Sequence, residues 1–161
     1  MIMQRVVIIT GTPGTGKTKV ARYIAKKLRA DYVDVNEIIK KYKLYSSYDK
    51  KLETYIVDPK RLVPVLRAII KQSKNSIAID GHLSHYLQKK DADLCIVTKC
   101  GIKILEKRLR KRGYSRKKIQ ENLDSERFDV CLVDAAGQGH KIRIVDTTKG
   151  IKELNVKRLL S

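Results

Sequence analysis

The sequence is short of aromatic bulk and of chain breakers. It has no tryptophan, one phenylalanine and three prolines in 161 residues. With no proline-rich or low-complexity stretch and 42% hydrophobic residues, it is not a disordered or linker-dominated chain, and its length suits one domain. Cysteine is also scarce. Cys95, Cys100 and Cys131 are odd in number and form no C-x-x-C pair, which argues against a disulfide framework or a zinc site and makes them buried, inert thiols. No apolar run approaches the ~18 residues of a membrane helix. Met1 to Arg5 leads straight into an apolar strand without the layout of a signal peptide. The expectation is a soluble cytoplasmic chain, monomeric and without a membrane partner. Acid is the scarcest charge: 17 Asp and Glu stand against 36 Lys and Arg, a net charge of +19. Both halves of the chain share the excess, so it is not a detachable tail. Such a surface suits a heavily solvated, heat-resistant protein, and it also attracts polyanions such as RNA and nucleotides.

Periodicity divides the chain into alternating strands and helices. Gln4 to Ile9 is a β-branched apolar run, followed by a glycine-rich turn. Val20, Ala21, Ile24, Ala25 and Leu28 then repeat as one face of a helix. Asp31 to Val35 is predicted as a second strand. Asn36 is predicted to cap a short helix to Tyr42, with an irregular loop or small mobile subdomain over 43–57. Asp58-Pro59 has the signature of a helix start, although Pro64 predicts a later start or a bend. Further strands are expected at 76–80, 93–98 and 141–145. Helices are expected at 101–112, from Ser115 to near Gly137, and at 149–160. Five βα repeats predict an α/β fold, a five-stranded parallel sheet with helices on both faces. Ligands then bind beyond the carboxyl ends of its strands.

The strongest chemical signal lies at the first of those ends. Gly11-Thr12-Pro13-Gly14-Thr15-Gly16-Lys17-Thr18 matches G-x-x-x-x-G-K-[ST] in full, between a strand and a helix. Glycines at this spacing let the amides of Gly14, Thr15 and Gly16 turn inward around a phosphate, and the helix dipole adds to the attraction. Lys17 is placed to reach the β- and γ-phosphates of ATP, Thr18 to offer its hydroxyl to Mg²⁺, and the Lys19 amide to approach the α-phosphate. A second Mg²⁺ anchor is expected at the end of a neighbouring strand, where Asp80 stands. Two residues on, His82 can orient water or a hydroxyl beside the transferring phosphate. Residues 99–118 hold ten Lys and Arg against Glu106 alone. Most of these form a solvated helix face. Arg108 and Arg112, four apart, are expected on one face as guanidinium donors to the charge of a phosphoryl-transfer transition state. AAA-type ATPases share the Gly-Thr-Pro-Gly loop, but the chain is too short for their helical lid domain and ring apparatus.

Asp80-Gly81-His82 together with Arg112-Gly113-Tyr114, the loop from Thr10 to Thr18, Leu44-Tyr45, Tyr48-Asp49, Arg108-Leu109, Glu121-Asn122 and Glu126 resemble a particular family. This is the adenylate-kinase-like family of archaea and eukaryotes linked to small-ribosomal-subunit maturation, and the resemblance spans Ile8 to about Ala136. It implies one kinase domain over 1–161, with core segments 1–33, 58–110 and 122–161. A nucleoside monophosphate (NMP)-binding insert at about 34–57, holding Asp34 and Lys40, and a short lid at about 111–121 complete it. It implies ATP + AMP to two ADP with Mg²⁺, a side ATPase activity linked to His82, and Arg112 as the lid arginine on ATP. Small-subunit ribosomal protein and pre-ribosomal RNA are the implied partners. Lys40 stands where an acceptor-phosphate arginine is expected, and Thr98-Lys99-Cys100 replaces an arginine-containing turn.

Overall fold

Strand β1 (Val6–Gly11) is buried along its whole length because it is the middle strand of a sheet covered on both faces. A computed structural model describes residues 3–161, and the start of the predicted first strand is trimmed to Val6. β1 pairs in parallel with β5 (Ile77–Asp80) on one side and β6 (Leu94–Lys99) on the other. Outside these lie β2 (Asp31–Asp34) and β7 (Ile142–Asp146), giving the order β2-β5-β1-β6-β7. The predicted five-stranded parallel sheet is therefore present. Chain progression reverses across β1, so the crevice for a ligand opens at the ends of β1, β5 and β6.

Alternate residues of β1 feed two cores. Val6 and Ile8 face α2 (Val35–Lys41), α3 (Pro59–Gln72) and α6 (Val130–Gly137), meeting Ile39, Leu62, Leu66 and Ala135. Val7 and Ile9 face α1 (Lys17–Leu28) and α7 (Val156–Leu160), meeting Val20, Ala21, Ile24 and Leu159. Burial of a side chain the size of Ile8 contributes roughly 2–3 kcal/mol. A third, smaller cluster joins α4 (Ile102–Lys111) to α5 (Arg116–Arg127) through Leu105, Leu109 and Leu123, with Tyr114 packed against it. No helix among the described residues is long and apolar enough to cross a membrane.

Several local expectations are corrected. Residues 43–57 are not an irregular loop: β3 (Tyr45–Asp49) and β4 (Thr54–Val57) form an antiparallel hairpin with stacked tyrosines, Tyr45 on Tyr55 at 4.5 Å and Tyr48 on Tyr55 at 5.1 Å between ring centroids. The cap of α2 is Asp34, whose carboxylate accepts from the Asn36 amide, because β2 ends one residue earlier than predicted. Helix α3 starts at Asp58-Pro59 and runs through Pro64. Pro64 and Lys60, the residue whose carbonyl loses its helical donor, are both exposed, so water can satisfy that carbonyl. The long helix predicted from Ser115 breaks at Phe128–Asp129, where Asp129 takes a positive φ of 52°. The last helix is confined to Val156–Leu160. All three cysteines are free and buried, as expected.

Candidate active site

The turn after β1 is built for an anion. Gly14 and Gly16 have φ of 90° and 88°, a region that side chains resist. A Cβ on Gly14 would lie 2.9 Å from both Leu105 and Leu109 of α4. Gly16 is the N-cap of α1 and brings no side chain to the open amides of the first turn, which also contains no acid. Those amides and the helix dipole face outward for a phosphate. The rest of the loop is braced from behind. Thr15 donates its hydroxyl to the Thr12 carbonyl (2.6 Å), and it shares a hydrogen bond with the Thr98 hydroxyl (2.7 Å). The Thr15 side chain thus shapes the loop, leaving only its backbone for nucleotide.

Lys17 and Thr18 head α1 and point in different directions. The Lys17 ammonium donates to the Thr12 carbonyl (3.2 Å). Burial pushes its pKa down to about 8, and the Arg112 charge adds to this against the opposing effects of Cys131, Asp80 and Glu126. An arriving polyphosphate reverses that shift. Thr18 donates to Asp80 Oδ2 at 2.7 Å, which joins the two expected Mg²⁺ anchors. Asp80 is buried at the end of β5 and faces β1 across the parallel ladder. A hydroxyl and a carboxylate beside a phosphate loop suit a hard cation that keeps water and phosphate oxygens as its other ligands, so this pair fits Mg²⁺. Sequence reasoning missed Tyr32, whose hydroxyl also donates to Asp80 Oδ2 (2.6 Å). Its ring carries the Arg22 guanidinium 4.6 Å above the centroid.

His82 is half-buried on the cavity wall two residues beyond Asp80. Burial, then the Lys17 and His85 charges, lower its pKa to about 4, so it is neutral at physiological pH. His85 is internal. Its Nδ1 lies 2.7 Å from the Thr10 hydroxyl and its Nε2 3.7 Å from Asp134, and burial lowers its pKa to about 4 as well.

The two arginines separate. Arg112 caps α4 at the Gly113 turn, is exposed and lines the cavity. Arg108 lies outside the cavity lining. Its guanidinium donates to the Thr147 carbonyl (2.6 Å), the Thr147 hydroxyl (3.0 Å) and the Gly14 carbonyl (3.3 Å). The donors of Arg108, expected as a catalytic arginine, go in this structure to the loop and the end of β7, where it braces them. Thr147 completes that brace through the Thr15 carbonyl (2.6 Å), a contact no local motif announced.

A single cavity of about 1200 Å³ joins the phosphate loop, Asp80, His82 and Arg112 to the β3–β4 hairpin. Asp34 and Lys40 line it on the hairpin side, as do Tyr48 and Tyr55. The tyrosines were missed as site residues, although the YSSYD and TYIV segments around a polar KKLE turn carry a hairpin pattern. Opposite, Lys118 of α5 donates to the Glu53 carbonyl at the hairpin tip (3.1 Å), closing one side of the mouth.

Fold and site together define a phosphate-loop kinase of the nucleotide-dependent type. The fold is shared with the shikimate kinase of Bacteroides thetaiotaomicron, at a TM-score of 0.63 and 12% identity over 97% of this chain and 94% of that one. A gluconokinase from Sinorhizobium meliloti gives 0.56 and 15% over 99% and 89%. In sequence, a family described as AAA domain matches residues 7–129. The exclusion of AAA-type proteins on length is thereby corrected: the core falls in a family of that description. A protein of Methanocaldococcus jannaschii named "Putative adenylate kinase" is 39% identical over 142 residues, 88% of this chain and 76% of its own. The "Adenylate kinase isoenzyme 6 homolog" of Dictyostelium discoideum is 35% identical over 139 residues, 86% and 78% of the two chains. The chain belongs to this adenylate-kinase-like family, and it is an ATP-dependent kinase.

Proposed function

We propose that the acceptor is a nucleoside monophosphate and that the reaction is ATP + AMP to two ADP. The observation that carries this reading is the continuity of the cavity, which runs from the phosphate loop past His82 to Lys40, Tyr48 and Tyr55 on the insert. An acceptor phosphate held by the Lys40 ammonium, with its base against the tyrosine rings, sits in line with an ATP phosphate tail on the loop. An oxygen of the acceptor phosphate attacks the γ-phosphorus, and the bond from that phosphorus to the β-bridging oxygen breaks. The chain's part is positioning and charge. Lys17 and the loop amides hold the transferring group, and Arg112 meets charge spreading over its oxygens. Mg²⁺ on Thr18 and Asp80 supplies charge neutralisation when bound. Asp34 holds α2, and with it Lys40, at the cavity wall.

The same site hydrolyses ATP when water takes the acceptor's place, and the neutral imidazole of His82 suits it to orienting that water. The +19 charge supports a setting beside RNA, while a small-subunit ribosomal protein as partner and a cytoplasmic location rest on the family resemblance alone. The deciding experiment is a screen of nucleoside monophosphates with diphosphate and inorganic phosphate measured in parallel. Diphosphate from AMP without phosphate release supports the kinase reading. Phosphate release alone, stimulated by RNA, replaces it with an ATPase. RNA binding is expected to weaken steeply between low and moderate salt, as counterion release requires.

A further inference from the structure

Glu126 lies outside the proposed chemistry, yet it is buried behind the phosphate loop at the end of the lid helix α5. One carboxylate oxygen accepts from the Lys99 ammonium at 2.6 Å, and the other accepts from the Cys100 amide at 2.9 Å. Lys99 also donates to the Glu126 carbonyl (3.1 Å) and to the Asp129 carboxylate. The break between α5 and α6 at Asp129 is what turns both acids onto one lysine. This accounts for the departure at Thr98-Lys99-Cys100: Lys99 does not enter the cavity, and its charge is used to hold α5 against the end of β6.

From that anchor two routes reach the phosphate loop. The Thr12 hydroxyl donates to Glu126 at 3.5 Å, a long contact. The stronger route is the 98–100 turn, whose Thr98 hydroxyl shares a hydrogen bond with Thr15 (2.7 Å). Both end on the Thr12 carbonyl, which accepts from the Thr15 hydroxyl, the Thr15 amide and the Lys17 ammonium.

We propose that Glu126 is a positioning residue for phosphoryl transfer, tying the lid helix to the phosphate loop through Lys99 and Thr12 so that the Lys17 ammonium is held where the transferring phosphate arrives. The proposal rests on the kinase reading. Glu126→Gln keeps the shape of the side chain and an acceptor for the Cys100 amide while removing the charge that holds Lys99. Lys99→Met removes the same tie from the other side and leaves the Thr12 contact in place. A loosened Lys17 leaves the loop amides to bind ATP, so the loss is expected in kcat and not in the KM for ATP.

The experiment is steady-state kinetics with ATP and AMP for wild type, Glu126→Gln and Lys99→Met, with inorganic phosphate measured alongside. Glu126→Gln should lower kcat by roughly tenfold or more, with the KM for ATP changed less than about threefold, because the interaction matters chiefly as the phosphate transfers. A kcat within twofold of wild type in folded Glu126→Gln, or a loss carried mainly by the KM for ATP, would overturn the proposal. Should Glu126→Gln fail to fold, the same split in Lys99→Met supports the proposal and its absence overturns it. If the wild-type protein makes no diphosphate from any monophosphate, the kinase reading fails, and the same comparison of kcat and KM on phosphate release from ATP decides the role of Glu126.

Discussion

Replacing Lys17 by methionine should stabilise the nucleotide-free protein while abolishing its chemistry. The loop holds an ammonium whose pKa is depressed from 10.5 to about 8, chiefly by burial. Each pKa unit is worth about 1.4 kcal/mol, so the full depression would correspond to roughly 3 kcal/mol. The side chain is only half-buried, and solvent screening reduces the effective figure. Methionine keeps the length of the side chain but loses the hydrogen bond to the Thr12 carbonyl (3.2 Å), worth about 1 kcal/mol. A net gain of about 1 kcal/mol at pH 7 follows, a rise of roughly 2–4 °C in Tm for a chain of this size. The sign with pH is fixed by linkage. Below about 8 the lysine is protonated in both folded and unfolded chains, and the folded state bears the whole cost. As the pH rises from about 8 toward 10.5, the folded lysine becomes neutral before the unfolded one and the cost disappears. Thermal melts of wild type and Lys17→Met at pH 7 and pH 10, without nucleotide or Mg²⁺, test this. A variant less stable than wild type at pH 7, or a gain that persists at pH 10, refutes the reasoning. Transfer to AMP should fall by at least ~10², since the charge on the transferring phosphate is lost.

Arg112→Ala is expected to depress ADP formation and phosphate release alike, by ~10²-fold or more, with no full rescue in Arg112→Lys because an ammonium lacks the fork. His82→Ala should hurt phosphate release more than transfer to AMP, and equal losses of both would remove its role toward water. Lys40→Arg should lower the KM for AMP by restoring bidentate contact with the acceptor phosphate, and an unchanged KM would place that phosphate elsewhere. Gly14→Ala should cost about 2 kcal/mol in a chemical melt, because φ is 90° there and the new methyl meets Leu105 and Leu109 at 2.9 Å. Full stability in that variant would mean that the loop relaxes at little cost.

What could be read from the sequence was whatever is encoded by neighbours in the chain. The β-branched runs fixed the strands of the parallel sheet because both faces of β1 are buried, and such strands need no partner to be recognised. The phosphate loop was legible for the same reason: its glycines, Lys17 and Thr18 lie within eight residues of one another. The hairpin at 45–57 was not, since its strands are short, half-exposed and rich in tyrosine and serine, and their pairing shows only once the ends meet. The α5–α6 break was hidden because its cause is remote in sequence. Asp129 turns where it does to meet Lys99, thirty residues earlier.

The two arginines show where helical spacing runs out as an argument. Four residues apart on α4, Arg108 and Arg112 have the same neighbourhood in any sequence window. What separates them is the position of the helix end. Arg108 lies within the last turn, above Thr147 and the Gly14 carbonyl, and all three of its hydrogen bonds go to those two residues. Arg112 falls one turn later, at the cap before Gly113, where φ reaches 73° and the chain swings out over the cavity. A guanidinium committed to fixed carbonyls braces the loop, whereas one on a glycine turn is left facing the cavity. Which of the two arginines faces the cavity is therefore set by where α4 stops, and Glu126 ties down the far end of the helix that follows.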